Sequence, residues 1–128
     1  MRIFDFDGVI NVNGHLSELA ENTQVDVIVT GRCIDEAWEV LSFLEQHGMG
    51  QVPVFFNPML LETRGNHSLK SRQLSANHKV DTIWRLYLNE VNIESIYEDD
   101  PIQFEIMKTN LPSNLRSKLI KVESPTEK

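Results

Sequence analysis

The sequence predicts a single α/β domain in which helices cover both faces of a mostly parallel five-stranded sheet. Five short segments rich in Val, Ile and Phe have the composition of buried strands. Segments whose apolar residues recur at helical spacing separate most of them. The chain has 128 residues and a hydrophobic content of 41%, which is enough for one core. We therefore expect a three-layer, Rossmann-like domain over residues 1–122 and a flexible polar tail over 123–128.

The first half of the chain alternates strand and helix signals. The first strand ends in acidic residues, and Gly8 permits a sharp exit turn after them. Asp35 begins a helix whose apolar stripe is widened by Trp38 and Phe43. In chain order these signals predict a strand over 2–6, a turn or small hairpin at 11–14, a short helix within 15–22, a strand over 25–29, a helix that Gly48 and Gly50 stop, and a strand over 52–56.

The second half begins with a long segment that has no clear periodicity. Residues 57–77 predict a loop with at most a short element, and loops of this length in compact domains are usually functional or mobile. The spacing of Val80, Ile83 and Trp84 predicts a helix that begins at His78. The remaining signals predict the end of this helix at residue 88, a strand over 93–97, a helix over 102–109 and a strand within 115–122.

Composition restricts the class of protein. The net charge of −7 argues against broad electrostatic binding to nucleic acid. The single cysteine, Cys33, rules out an internal disulfide and fits a reducing compartment. No apolar run approaches the length of a membrane span. We therefore expect a cytoplasmic protein with no membrane partner, and the sequence leaves its oligomeric state open.

Polar residues follow three of the predicted strands. Asp5 and Asp7 are two residues apart, so an extended chain places them on one face. The carboxyl ends of parallel strands meet at one crevice, which is where ligands bind open α/β sheets. Carboxylates at the tip of a buried strand are costly unless a cation or catalysis uses them. The candidate constellation consists of Asp5, Asp7, Thr30, Lys79, Glu98, Asp99 and Asp100.

The order of these groups resembles the haloacid dehalogenase-like (HAD) phosphatase superfamily over roughly residues 2–122. The matching features are Asp5-Phe6-Asp7-Gly8-Val9 after an apolar strand, a strand ending in Thr30, a lysine before a helix, and a strand ending in acids. The resemblance implies the strand order 5-4-1-2-3 and Mg²⁺-dependent phosphoryl transfer through an aspartyl-phosphate. Too few residues separate Asp7, Thr30 and Lys79 for a cap domain, so we expect none.

The resemblance also implies catalytic roles. Asp5 would be the nucleophile, and Asp7 the general acid that protonates the leaving oxygen and then activates water. Thr30 and neighbouring backbone N–H groups, including that of Gly31, would bind a phosphoryl oxygen. Lys79 would be the fixed cation, with Lys70 as the alternative.

The implied cofactor is Mg²⁺, which would be held by Asp5, the backbone carbonyl of Asp7 and Asp99. Three consecutive acids leave the register open, so Asp100 or Glu98 is a further or alternative ligand.

A positive segment suggests the substrate class. Residues 63–80 contain no Asp or Glu but include Arg64, Lys70, Arg72 and Lys79, and we expect the loop from Arg64 to Arg72 to hold a polyanion. Arg32 is suited to bidentate phosphate contact. Its Thr-Gly-Arg context resembles the phosphatase part of polynucleotide kinase/3′-phosphatases, although Pro101 stands where those proteins often carry an arginine.

The predicted function is thus hydrolysis of a phosphomonoester, with nucleic-acid 3′-phosphate ends as the candidate substrate. A small-molecule phosphatase, such as a nucleotidase or a sugar-phosphate phosphatase, is one alternative. A non-catalytic HAD-like binding module is the other.

Overall fold

The computed structural model describes residues 1–123 and confirms an α/β architecture built on a parallel five-stranded sheet. Of the predicted tail, only Glu123 is described, and residues 124–128 lie outside the described residues. The strands are β1 Arg2–Phe4, β2 Asn11–Val12, β3 His15–Leu16, β4 Val27–Cys33, β5 Val54–Asn57, β6 Ser95–Glu98 and β7 Leu119–Lys121. The helices are α1 Glu18–Asn22, α2 Ala37–Gln46, α3 Leu61–Arg64, α4 Leu69–Leu88 and α5 Pro101–Asn110, with 3₁₀ turns at Ile34–Glu36 and Ser113–Lys118.

The order of the strands in the large sheet is β5-β4-β1-β6-β7. This order differs from the implied order 5-4-1-2-3. Strands β2 and β3 form a separate hairpin in which they pair only with each other, so they are numbered in the chain but lie outside the large sheet. Strand β1 is central and pairs in parallel with β4 on one side and β6 on the other. The acidic residues after β1 therefore emerge between two neighbouring strand ends.

Two apolar clusters cover the opposite faces of the sheet. Ile3 belongs to the cluster that packs under α4 and α5, together with Ile83 and Met107. Phe4, the next residue, belongs to the cluster under α2, which includes Val40 and Leu44. Because successive strand residues point to opposite faces, this division gives three layers.

Helix α4 is the largest departure from the sequence prediction. It begins at Leu69 rather than at His78, and the Ser68 hydroxyl caps it by accepting the N–H of Ser71 at 3.0 Å. Its first turns bury Ser71 and Ser75 instead of apolar residues. Hydrophobic periodicity therefore gave no signal there.

Other differences are local. The predicted helix within 15–22 starts only at Glu18, because His15 and Leu16 pair in the hairpin and Ser17 caps α1. Strand β4, which was predicted over 25–29, begins at Val27 and extends to Cys33. Trp38 does not widen a packed stripe, because 81% of it is exposed. Within residues 1–123, no helix combines the length and apolar character needed to cross a membrane.

Candidate active site

A cavity of about 930 Å³ opens at the carboxyl ends of β1, β4 and β6. Asp5 and Asp7 reach it from the end of β1, Arg32 from β4, and Asp99 from the end of β6. Helix α4 contributes Lys79 and other polar residues from the side. The cavity thus brings together most of the predicted groups, but Thr30 and Glu98 are fully buried and are not among the described residues that line it.

Lys79 lies at the buried centre of this site between two carboxylates. Its Nζ is 3.1 Å from Asp5 Oδ1 and 2.6 Å from Glu98 Oε1. The side chain of Lys79 is 2% exposed, and that of Glu98 is fully buried. The other oxygen of Glu98 accepts the N–H groups of Asp99 and Asp100, each at 3.1 Å. Both oxygens of Glu98 are thereby engaged, so Glu98 acts as the partner that fixes Lys79.

Lys79 and Lys70 were the two candidates for the fixed cation, and their positions distinguish them. Lys70 is exposed on α4 and is not among the described residues that line the cavity. Lys79 is therefore the lysine that contacts Asp5.

The pKa of Asp5 is set by its burial and by the charged groups around it. Burial and the charge of Glu98 raise the pKa of Asp5 well above its usual value, and Lys79 opposes the rise. Burial alone would lower the pKa of Lys79, but the charges of Asp5 and Glu98 outweigh burial and raise it. The nearby carboxylates of Asp99 and Asp7 also raise the pKa of Asp5. A further cation beside Asp5 would oppose these effects and stabilise its ionised form.

The donor set fits a divalent cation. Single carboxylate oxygens of Asp5, Glu98 and Asp99 lie within 4.8 Å of one another. The carboxylate of Asp99 lies against Gly8, where any Cβ would collide with it, and Gly8 has a φ of 79°. Oxygen ligands of this kind suit Mg²⁺. Because Glu98 is engaged elsewhere, Asp5 and Asp99 are the side chains suited to hold the ion.

Asp7 lies at the rim of the cavity and is paired with Arg32. Arg32 Nε donates to Asp7 Oδ2 at 2.8 Å, and Nη2 donates to Oδ1 at 3.0 Å. Arg32 Nη1 contacts Glu39 at 2.8 Å and Glu36 at 3.3 Å. The Asp7 side chain is 51% exposed. Its carboxylate is outside the buried acidic group, so the predicted metal contact of this residue involves only its backbone carbonyl.

Residues 30–33 are the last part of β4, where the register with β5 shifts between Val29 and Cys33 and the Thr30 side chain closes a local turn with Arg32. Thr30 is fully buried, and its Oγ1 accepts the N–H of Arg32 at 3.0 Å. Gly31 packs against Ser75 of α4 so closely that a Cβ would collide with that side chain. The carbonyl of Gly31 accepts a hydrogen bond from Arg64. Gly31 and Arg32 line the cavity, whereas Thr30 lies beneath them and is not among the described residues that line it.

Asp100 is separate from the acidic group. Arg72 Nε and Nη2 donate to its two oxygens at 3.0 and 2.7 Å, and Gln103 Nε2 donates at 2.9 Å. Asp100 also caps α5 by accepting the N–H of Ile102 at 3.1 Å. Burial alone would raise the pKa of Asp100, but Arg72 and the other donors outweigh it and lower the pKa. These contacts indicate a structural cap rather than a metal ligand.

The positive segment is mostly neutralised by acids from elsewhere in the chain. Arg72 pairs with Asp100, and Lys79 pairs with Asp5 and Glu98, as described above. Arg64 Nη2 lies 3.7 Å from Glu36 Oε1. The segment therefore shapes the cavity more than it presents free positive charge.

Several cavity residues were not predicted from the sequence. Glu36, Ser71, Ser75 and Gln103 all line the cavity. The four-residue spacing of Ser71, Ser75 and Lys79 places them on one face of α4, which is the only local signal that pointed to the two serines.

Comparison of the chain with protein-family models, with curated proteins and with solved structures gives no match.

Proposed function

We propose that the protein is a Mg²⁺-dependent phosphomonoester hydrolase that acts through an aspartyl-phosphate at Asp5. The observation that carries the proposal is the position of Asp5. It is a buried carboxylate at the end of the central strand, in contact with Lys79, close to Asp99, and open to a large polar cavity. The resemblance to HAD phosphatases supports the same assignment.

The orientation of Asp5 suits a nucleophile. Its backbone N–H is bonded to the Tyr97 carbonyl at 3.1 Å, which ties it to β6. Its side-chain oxygen Oδ1 accepts both Lys79 Nζ and the Phe6 N–H, the latter at 2.8 Å. In the proposed reaction, the other oxygen, Oδ2, attacks phosphorus while Oδ1 stays anchored.

The bonds change in two steps. First, the bond from Asp5 to phosphorus forms, the bond from phosphorus to the leaving oxygen breaks, and Asp7 gives that oxygen a proton. Water then attacks phosphorus, its proton passes to Asp7, and inorganic phosphate leaves as Asp5 is regenerated. Lys79 balances the charge of Asp5 while Asp5 is a free carboxylate, and it stays beside Oδ1 when Asp5 carries the phosphoryl group. Asp5, Asp99 and the Asp7 carbonyl would hold Mg²⁺, which when bound would neutralise charge on the phosphoryl oxygens.

The turn within residues 30–33, at the end of β4, is the proposed site for the remaining phosphoryl oxygens. The Thr30 hydroxyl and the Gly31 backbone N–H are the candidate donors. Arg32 changes partner in this scheme, from Asp7 to the phosphate, which frees the carboxyl of Asp7 for proton transfer. The Asp7 side chain is 51% exposed, so water can replace the guanidinium beside it.

The candidate substrate is a phosphate at a nucleic-acid 3′ end. The cavity is far larger than a phosphate group, and its lining includes the exposed polar residues Asn66 and His67. These side chains suit the sugar and the next phosphate of a nucleic-acid strand.

The test is phosphate release from a 3′-phosphorylated oligonucleotide, a 5′-phosphorylated one, free nucleotides and p-nitrophenyl phosphate, with Mg²⁺ and with EDTA. We expect Mg²⁺-dependent release with a preference for the 3′ end, and none from Asp5→Asn. Release only from the small esters would favour the small-molecule phosphatase. Absence of Mg²⁺-dependent release from every substrate would contradict the proposal and favour a binding module.

A further inference from the structure

Two charged side chains, Glu36 and Arg64, enclose the turn at residues 30–33. They are largely buried, with exposed fractions of 12% and 10%. Glu36 lies in the 3₁₀ turn after β4, and Arg64 is the last residue of α3. We refer to this pair as the Glu36–Arg64 clamp. The reaction scheme above assigns it no role.

Arg64 uses all three of its nitrogens within the protein. Nη1 donates to the Gly31 carbonyl, Nη2 to Asn66 Oδ1 at 3.0 Å, and Nε to the Gly65 carbonyl at 2.9 Å. Arg64 therefore fastens the segment 61–66 to the backbone at Gly31. It presents no nitrogen that is unused by the protein to a substrate.

Glu36 holds the other end of the same turn. Oε1 accepts the Cys33 N–H at 2.9 Å, and Oε2 accepts Nη1 of Arg32 at 3.3 Å. One carboxylate therefore fixes the backbone that follows Arg32 and also fixes its guanidinium.

Ser75 of α4 closes the turn from a further side. Its Cβ and hydroxyl lie against Gly31, where no larger residue fits. The Gly31 peptide is thus confined between Arg64 and α4. Anion sites built from backbone N–H groups and hydroxyls need this kind of fixed geometry, because donors that must reorganise stabilise charge poorly.

We infer that Glu36 and Arg64 are positioning residues for a phosphate site formed by Thr30, Gly31 and Arg32. The inference rests on the proposed function, in which this turn binds the phosphoryl group of the substrate. Neither residue touches the reacting atoms. The segment 61–66 takes part through Arg64, so one wall of the cavity and the phosphate site form a single unit.

The inference predicts a specific pattern of defects. Loss of either clamp residue frees the turn, so that inorganic phosphate and phosphate esters bind more weakly. The buried centre at Asp5 and Lys79 has no contact with the clamp among the hydrogen bonds and ion pairs of the described residues, so kcat changes less than KM.

The experiment measures the Kd of inorganic phosphate by calorimetry in the presence of Mg²⁺, together with KM and kcat for p-nitrophenyl phosphate. We expect Glu36→Gln and Arg64→Met each to raise Kd and KM by about tenfold, a loss typical of misplaced binding groups. The double variant should be little worse than the single ones, because both act through one turn. Arg64→Lys should restore part of the affinity by donating to Gly31. Glu62→Gln removes a charge from the exposed face of α3 and is the matched control.

Unchanged phosphate affinity in folded variants whose Tm has fallen would overturn the inference, because it would show a purely structural role. If Arg64→Met does not fold, Glu36→Gln and Arg64→Lys decide the question by the same measurement. A wild-type protein that binds phosphate but hydrolyses no ester would refute the proposed function, and the Kd series would still test the clamp. A wild-type protein that binds no phosphate would overturn the clamp as well.

Discussion

Two ionic groups lie at the same end of the sheet and differ mainly in burial. The centre formed by Asp5, Lys79 and Glu98 is almost excluded from water, with Lys79 2% exposed. The rim pair of Arg32 and Asp7 has comparable distances, but its carboxylate is half exposed. Breaking a buried pair leaves a charge without solvent, whereas water can replace either partner of an exposed pair. Similar distances therefore correspond to very different energies.

This difference fits the division of labour in the proposed reaction. The nucleophile must stay fixed, and the fold provides a buried lysine and a buried glutamate to fix it. The proton donor and the phosphate ligand must exchange partners during turnover, and both lie at the rim.

The largest effect should follow removal of the central cation. Lys79→Met leaves the carboxylates of Asp5 and Glu98 buried together without the cation between them, so it should lower the free energy of unfolding by about 3–5 kcal/mol in urea titrations. The exposed Lys70→Met is the control and should change it by about 0.5 kcal/mol or less. Adding Glu98→Gln to Lys79→Met should recover part of the loss. Equal effects of the two lysine variants would refute the contrast between centre and rim.

Asp100 occupies an intermediate position, because its side chain is 13% exposed and it both caps α5 and pairs with Arg72. Asp100→Ala should lower the free energy of unfolding by about 1–2 kcal/mol, as expected for a lost N-cap. Asp100→Asn retains an acceptor for the Ile102 N–H and should lose less. Equal losses in Asp100→Asn and Asp100→Ala would show that the charge, not the cap, dominates.

The rim pair should contribute little to stability. Arg32→Gln should lower the free energy of unfolding by about 1 kcal/mol or less. The difference from wild type should shrink in about 1 M salt, because exposed charges are screened. The defect of Lys79→Met should be nearly insensitive to salt. If salt reduced both defects equally, the two groups would not differ in solvent access.

The smallest effect should come from His78, which precedes Lys79 on α4 and contacts the Phe55 carbonyl at 3.2 Å. Burial lowers the pKa of His78 below 6.5, and this carbonyl opposes the shift. The unfolded chain therefore binds more protons between the folded pKa and 6.5, so acidification through this range destabilises the fold. When the pH is lowered from about 7.5 to about 5.5, the Tm of His78→Gln should fall less than the Tm of wild type. The same Tm decrease in both proteins would contradict this assignment.

The strand ends were predictable from the sequence because their signals are local. Asp5 and Asp7 directly follow an apolar strand, and the three acids at 98–100 directly follow another. The register among those acids was not predictable. The structure separates them, with Glu98 on Lys79, Asp99 beside Gly8 and Asp100 on Arg72.

Contacts between distant segments could not be predicted from local patterns. Arg32 and Asp7 were both predicted to serve the site, but their mutual pairing spans 25 positions. The clamp pairs Glu36 with Arg64, which belongs to a segment that showed no periodicity. The start of α4 was missed because Ser71 and Ser75 are buried polar residues, which interrupt the apolar pattern on which helix prediction depends.

The most direct test of the central claim is to look for the phosphoryl group on Asp5. The protein would be mixed with Mg²⁺ and p-nitrophenyl phosphate, quenched rapidly in acid, digested and analysed by mass spectrometry. The account predicts a phosphorylated peptide with the modification at Asp5, present in wild type and absent without Mg²⁺ or in Asp5→Asn. Turnover that continues in Asp5→Asn, or a phosphoryl group on another residue, would contradict it.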